Sequence, residues 1–203
     1  MMAKSSNAID RRADILAATI RVLARDGLTA TTTRKIAAEA GVNQATLRYY
    51  FGSKDDLLFA VLQMMMQTTR EIVQAAIPSD RQPQAMVVQS LKAFWFHVQS
   101  SPELQVMQYE LTLYALRNPD SAWLAKQQYD GYCTLVESFF QHYFEQANVP
   151  CATSFPTLAR FTVAGIDGLI LQFVSDHNIE RAQRDLDTLI QATLALTGIT
   201  TTF

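Results

Sequence analysis

The run GVNQATLRYYFGSKDDL, residues 41–57, decides how the rest of the chain is read. Gly41 tolerates the positive φ of a tight turn, and Val42 completes it. Asn43 can cap a short helix over about 44–50. Ser53 can cap another that begins at Lys54, with Asp55 and Asp56 in its electropositive first turn. Upstream, the threonines 29 and 31–33 supply a cap for a helix over about 33–40. Helix, glycine turn, helix is the arrangement of a helix-turn-helix. Ile36, Ala37, Ala40, Val42, Leu47 and Phe51 are spaced to lock the pair against a first helix, predicted over Asp10–Asp26.

The second helix then shows small and hydrogen-bonding side chains at its N-terminal part. Gln44 suits adenine, Arg48 suits guanine, and Ala45 and the Thr46 methyl suit thymine methyls. Thr32, Thr33, Tyr49, Tyr50 and Lys54 are the types that meet phosphate oxygens. Arg34 and Asn43 complete the predicted DNA-binding set. Singly, each has an ordinary structural role open to it: Thr33 as a cap, Tyr50 as half-core, Lys54 as a solvated charge. Their order on one surface argues for a nucleic-acid reader.

Charge agrees with that placement. Residues 1–54 hold nine basic side chains against four acidic ones, a net +5; the remaining eight basic and fifteen acidic give −7. A basic head on an acidic body points to a polyanion at the head alone. Solvated surface charge explains the same count equally well.

At 203 residues and 49% apolar composition, the chain is long enough for one good core or two small domains, and is not disordered. Six prolines and seven glycines favour long helices over a loop-rich β fold. The expectation is an all-α chain of about nine helices. A helix-turn-helix domain occupies 1–53, and a helical bundle occupies 54–203. The long helix 54–77 joins them and spans about 36 Å. After Pro78 the chain changes character. Pro83, Pro102 and Pro119 stand at helix starts, the last two behind Ser101 and Asn118 as caps. Helices follow over about 83–100, 102–117, 119–147, 157–175 and 179–197.

The run FTVAGIDGLILQFV (161–174) is the most apolar, and Asp167 interrupts it; it reads as a buried helix. The N-terminus has no apolar signal core, and Cys133 and Cys151 form no CxxC pair, so a cytoplasmic chain with reduced thiols is expected.

TTTRKIAAEAGVNQATLRYYFGSKDDLLFAVL (31–62) resembles the DNA-binding region of TetR-family transcriptional regulators. Their pattern is met by Thr32 or Thr33, Ile36, Ala37, Ala40, Gly41, Val42, Leu47, Tyr49, Phe51, Lys54 and Leu57. The match covers about the first third of the chain. It departs at Arg48, where the family usually has Tyr, and at Tyr50, where it has His, so operator sequence does not transfer. The resemblance implies a dimeric, all-helical repressor that binds a near-palindromic double-stranded operator and carries a small-molecule effector site in its body. No cofactor, metal or membrane partner is implied.

Within the body, the resemblance and composition give two expectations. Phe161, Gly165, Gly168, Leu169 and Gln172, with Leu186, Leu189, Ile190 and Thr193 of the last helix, suit a dimer face; an intrachain core is the other reading. Met65, Trp95, Met107, Glu110, Tyr114, Trp123 and Tyr132 have the apolar character, with a few polar groups, of an effector pocket. Aromatics at helical spacing are more often core. Glu110 in an apolar run needs a partner: a cationic or hydroxylated effector on one reading, solvent, Arg117 or Lys126 on the weightier one.

An all-helical enzyme or a protein-interaction module is the competing class. His97, His142 and His177 lie far apart, and no HExxH, GxSxG or Cys–His pattern occurs. His142 and Glu145, one helical turn apart, suit a solvated face better than a ligand pair.

Overall fold

A computed structural model describes residues 2–77 and 82–199, with side chains from Arg11 onward. Pro78 and the side chains of Lys4 and Asp10 lie outside the described residues. Among those described are nine α-helices, one 3₁₀ turn and no strand: α1 (Met2–Ala30), α2 (Thr33–Glu39), α3 (Gln44–Phe51), α4 (Lys54–Ala76), α5 (Pro83–Ser100), α6 (Pro102–Arg117), the 3₁₀ turn Pro119–Ser121, α7 (Ala122–Ala147), α8 (Phe155–Asp176) and α9 (Ile179–Thr197).

Two boundaries differ from expectation. α1 begins at Met2 and is broken at Gly27 (φ 72°, ψ 165°), where a short helical turn to Ala30 follows the kink. The segment after Asn118 opens as a 3₁₀ turn, and α7 starts only at Ala122. Asn118 makes no capping bond; its Nδ2 donates to the Tyr114 carbonyl instead.

The chain forms two compact units. The first comprises Met1–Met65 and Val106–Lys126, so that α6 belongs with the helix-turn-helix; the second comprises Met66–Gln105 and Gln127–Phe203. In the first, α1 packs on α2 and α2 on α3. Ile15, Val22 and Leu23 of α1, Ile36 and Ala37 of α2, Leu47 and Phe51 of α3, and Leu57 and Leu58 of α4 are all buried. Each large aliphatic side chain so placed contributes about 1.5–3 kcal/mol relative to exposure.

In the second unit α9 packs on α8 and on α5. Gly165 leaves room for Leu189, whose Cδ1 occupies the place of the missing Cβ. Leu158, Val163, Ile170 and Phe173 of α8 and Leu186, Ile190 and Leu194 of α9 are buried there. α8 is long and apolar enough to cross a membrane by length and composition, but its buried face belongs to this intrachain core.

Candidate nucleic-acid interface

The α2–α3 turn is built by a few backbone bonds. Ala40 ends α2, and Gly41 follows at φ 62°. The Gly41 amide donates to the Ala38 carbonyl and the Val42 amide to the Ala37 carbonyl, the paired bonds of a Schellman stop. Asn43 then starts α3: its Oδ1 accepts from the Thr46 amide at 2.8 Å and from the Thr46 hydroxyl at 3.0 Å. Thr32 does the same for α2, accepting from the Lys35 amide at 3.2 Å. At α4, Ser53 and Asp56 form a reciprocal capping box: the Asp56 amide donates to Ser53 Oγ, and the Ser53 amide to Asp56 Oδ2.

These caps fix the pitch of α3 and therefore its two faces. Leu47 and Phe51, one turn apart, face the core. Gln44, Ala45, Arg48 and Tyr49 are exposed, Tyr49 at 83%. Thr32 and Arg34 are exposed too, while Thr33, Thr46 and Tyr50 are half-buried. Tyr49 and Tyr50 meet edge to face, with ring centroids 5.3 Å apart. The exposed set is what a groove-reading helix needs, with Gln, Ala and Arg at positions i, i+1 and i+4.

Two members carry other duties. Asn43 spends its carbonyl oxygen on capping. Lys54 is half-buried; its Nζ donates to the Thr31 carbonyl at 3.4 Å and stands 5.7 Å from the centre of the Tyr114 ring.

The positive charge is also less free than its count. Glu39 of α2 binds Arg21 at 3.0 Å and Arg25 at 3.1 Å, and Asp26 binds Arg25 and Lys35, each at 2.9 Å. Hydrogen bonds from Arg25 and then Lys35 hold the Asp26 carboxyl below its ordinary value, and those from Arg21 and then Arg25 do the same for Glu39. Arg12 lies over the buried Phe51 ring at 5.0 Å. Arg34 and Arg48 are exposed cations on the helix-turn-helix itself, where Lys35, also exposed, is bound to Asp26.

Residues 15–61 match the family model for bacterial regulatory proteins of the tetR family. Over 192 residues the chain is 27% identical to the HTH-type nicotine-responsive transcriptional repressor HdnoR of Paenarthrobacter nicotinovorans, spanning 94% of this chain and 97% of that one. The chain belongs to the TetR family. Among solved structures, the TetR-family member resembles the multidrug binding protein EbrR complexed with imidazole (27% identity, TM-score 0.67, 95% of this chain and 93% of that chain). A TetR transcription regulator from Haloarcula marismortui shares the fold at 22% identity, with TM-score 0.70 over 93% of this chain and 97% of that one. The protein is thus a TetR-family transcriptional regulator with a helix-turn-helix head and a ligand-binding C-terminal domain.

Several residues predicted for the body stand elsewhere than expected. Met65, Met107, Glu110, Tyr114 and Trp123 belong to the first unit, and Trp95 and Tyr132 to the second. Glu110 faces neither solvent alone nor Arg117 nor Lys126: its Oε2 accepts from the Leu28 amide at 2.7 Å. Tyr114 donates to Asp55 at 3.0 Å, and Trp123 meets Phe59 edge to face at 5.3 Å. Met107 is core, and Trp95, 1% exposed, packs edge to face on Phe173 at 5.6 Å. Tyr132 is half-buried; desolvation first, and then the Asp167 charge, push its phenol well up, against a lowering hydrogen bond with Thr69.

The predicted dimer residues divide as well. Leu186, Leu189, Ile190 and Thr193 are buried within the single chain, because α9 turns its apolar stripe onto α8 and α5. Gly165 is filled by Leu189. Phe161, Gly168 and Gln172 remain exposed and Leu169 half-exposed, joined by the exposed Leu171, which sequence reasoning missed. Glu145 accepts from Gln141, and no group of three His, Cys, Asp or Glu able to hold a metal occurs among the described residues.

Proposed function

We propose that this regulator is a homodimeric repressor whose two α3 helices enter successive major grooves of a near-palindromic operator, about one helical turn (~34 Å) apart. The reading rests on one observation above others: α3 presents Gln44, Ala45 and Arg48 on one exposed face while Leu47 and Phe51 anchor the other. Residues 1–53 serve DNA binding, and 54–203, apart from the support α6 gives the helix-turn-helix, serve effector binding and dimerisation. It acts in the cytoplasm, on the chromosome, as a regulator and not as an enzyme.

The second copy meets the exposed side of α8, through Phe161, Gly168, Leu169, Leu171 and Gln172. Only a third of the apolar window of that helix is buried in one chain, which supports a covering partner.

The effector binds in the second unit, near Trp95 and Tyr132. The Trp95 Nε1–H and the Ser90 hydroxyl are buried there without a hydrogen-bond partner, and a ligand acceptor would offset that cost. Tyr129 donates to Asp167 at 3.0 Å, a carboxylate among phenols that suits a protonated nitrogen. HdnoR is named nicotine-responsive, and EbrR has been solved with imidazole and with ethidium, so nitrogenous ring compounds are the first to screen. Release follows only if the effector binds the non-operator state more tightly; the long helix α4, continuous through both units, carries the change.

Genome-wide mapping of bound sites tests the reading. A few strong sites sharing an inverted repeat support it. Uniform binding, or none, contradicts it.

A further inference from the structure

Taking the DNA-binding reading above as its basis, we propose that α6 is a working part of the DNA-binding unit, with Glu110, Tyr114 and the adjoining Ser121 as positioning residues that hold both ends of the helix-turn-helix. The pair α2–α3 occupies residues 33–51 and has one junction on each side, 27–32 from α1 and 52–55 into α4. α6 grips both.

At the first junction the chain leaves helical geometry at Gly27, so both polar groups of the 27–28 peptide lose their helical partners. Side chains replace them. The Gly27 carbonyl accepts from the Thr31 hydroxyl at 2.6 Å, and the Leu28 amide donates to Glu110 Oε2 at 2.7 Å. Glu110 comes from 82 residues away and is the tertiary half of that arrangement. A Cβ on Gly27 would stand 3.2 Å from Glu110 Oε1, so the carboxylate lies directly against the kink.

At the second junction Asp55, in the first turn of α4, accepts from two donors. Tyr114, one turn beyond Glu110 on α6, donates to Oδ1 at 3.0 Å, and Ser121 donates to Oδ2 at 2.5 Å. The Tyr114 ring also lies under Lys54, whose Nζ returns to the Thr31 carbonyl. The contacts close on themselves: α6 to the α1 kink through Glu110, the kink to Thr31, Thr31 to Lys54, and Lys54 and Asp55 back to Tyr114. A shift of α6 along or about its axis must therefore move both junctions or break one of these bonds.

The experiment uses the full-length protein, the operator duplex recovered by chromosomal mapping, and a random duplex of equal length. Tyr114→Phe removes the hydroxyl and keeps the ring over Lys54. Glu110→Ala removes the acceptor, and Glu110→Gln restores an acceptor oxygen of nearly the same reach. Tyr114→Phe and Glu110→Ala should each weaken operator binding by roughly tenfold, within the usual range of coupling effects, with random-duplex affinity unchanged and Glu110→Gln recovering most of the loss. Operator should also slow amide exchange at Leu28 and along 107–117 in the wild type, a change that a passive brace would not show. Operator affinity unaltered in Tyr114→Phe and Glu110→Ala and exchange in α6 unaffected by DNA would overturn the proposal, and so would equal losses on both duplexes. A wild-type protein with no preference for any duplex refutes the DNA-binding reading itself, and is seen before any variant is made.

Discussion

Leu189 of α9 lies over Gly165 of α8 so closely that its Cδ1 fills the space a Cβ would take, whereas nothing stands within 4 Å of that position at Gly168, three residues on. The two glycines share a helix and answer different questions. Gly165→Ala should destabilise the monomer by about 1–3 kcal/mol through overpacking, seen as a lower denaturant midpoint, and Leu189→Ala in the same chain should return part of it. Gly168→Leu should leave the fold intact and dissociate the proposed dimer, as read by sedimentation. A dimer that survives Gly168→Leu unchanged would remove α8 from the interface.

Salt dependence separates free from paired cations. Arg34→Ala should reduce the slope of log affinity against log salt by about 1, the effect of one lost phosphate contact. Arg21→Ala should change it little, because Glu39 already engages that guanidinium at 3.0 Å. Titrations of a fixed duplex at several salt concentrations check both, and equal slopes for the two variants would contradict the assignment.

Acid should loosen the α1–α2 contact. Asp26 and Glu39 have pKa values held below the ordinary carboxylate range. Their contribution is then complete above about pH 4.5, where the unfolded groups are ionised, and is lost as pH falls through the lowered values. Both pairs are exposed, so high salt should abolish the effect. Amide exchange in α1 and α2 between pH 6 and 3, for wild type and Glu39→Gln, measures this; identical profiles in the two proteins would refute it.

Alkali should find Tyr129 and Tyr132 reluctant to ionise. Burial first, and then the Asp167 charge and hydrogen bond, push Tyr129 up to about 12, and burial likewise raises Tyr132. Both groups stay protonated longer when folded than unfolded, so the stability they confer is present below about pH 10 and is lost as pH rises through the folded values. Ultraviolet titration should show the Tyr129 and Tyr132 phenols ionising later in the folded protein than in denaturant.

Capping gives a local test of the recognition helix. Asn43→Ala removes the acceptor of the Thr46 amide and should cost about 1 kcal/mol of stability. Asn43→Ser should recover most of it in the same denaturation measurement.

Local chemistry carried most of the fold into the sequence. Gly41, Asn43 and Ser53 announce a stop, a start and a second start, and each acts through neighbours no more than four residues away. Prolines and caps then placed the helices after α4 to within a few residues, whereas α1 begins eight residues before its expected start. What stayed hidden was tertiary. The apolar stripe of Leu186, Leu189, Ile190 and Thr193 says that α9 faces something, and the same pattern serves a core or a partner. Glu110 and Leu28 are 82 residues apart, and no periodicity links a carboxylate to one backbone amide. The kink at Gly27 is bridged by Thr31 nearby and by Glu110 from a distant helix, and the second of these has no local signal. Asn118 had the composition of a cap and instead folds back on Tyr114.

The central claim is that α3 reads bases through Gln44, Ala45 and Arg48. Selection of bound duplexes from a random pool, run with wild type and Arg48→Ala, tests it most directly. The wild type should enrich a near-palindrome with half-site centres about one helical turn apart, and Arg48→Ala should keep that spacing while losing preference at one position in each half. Enrichment of no sequence by the wild type, or of the same sequence by both proteins, would contradict it.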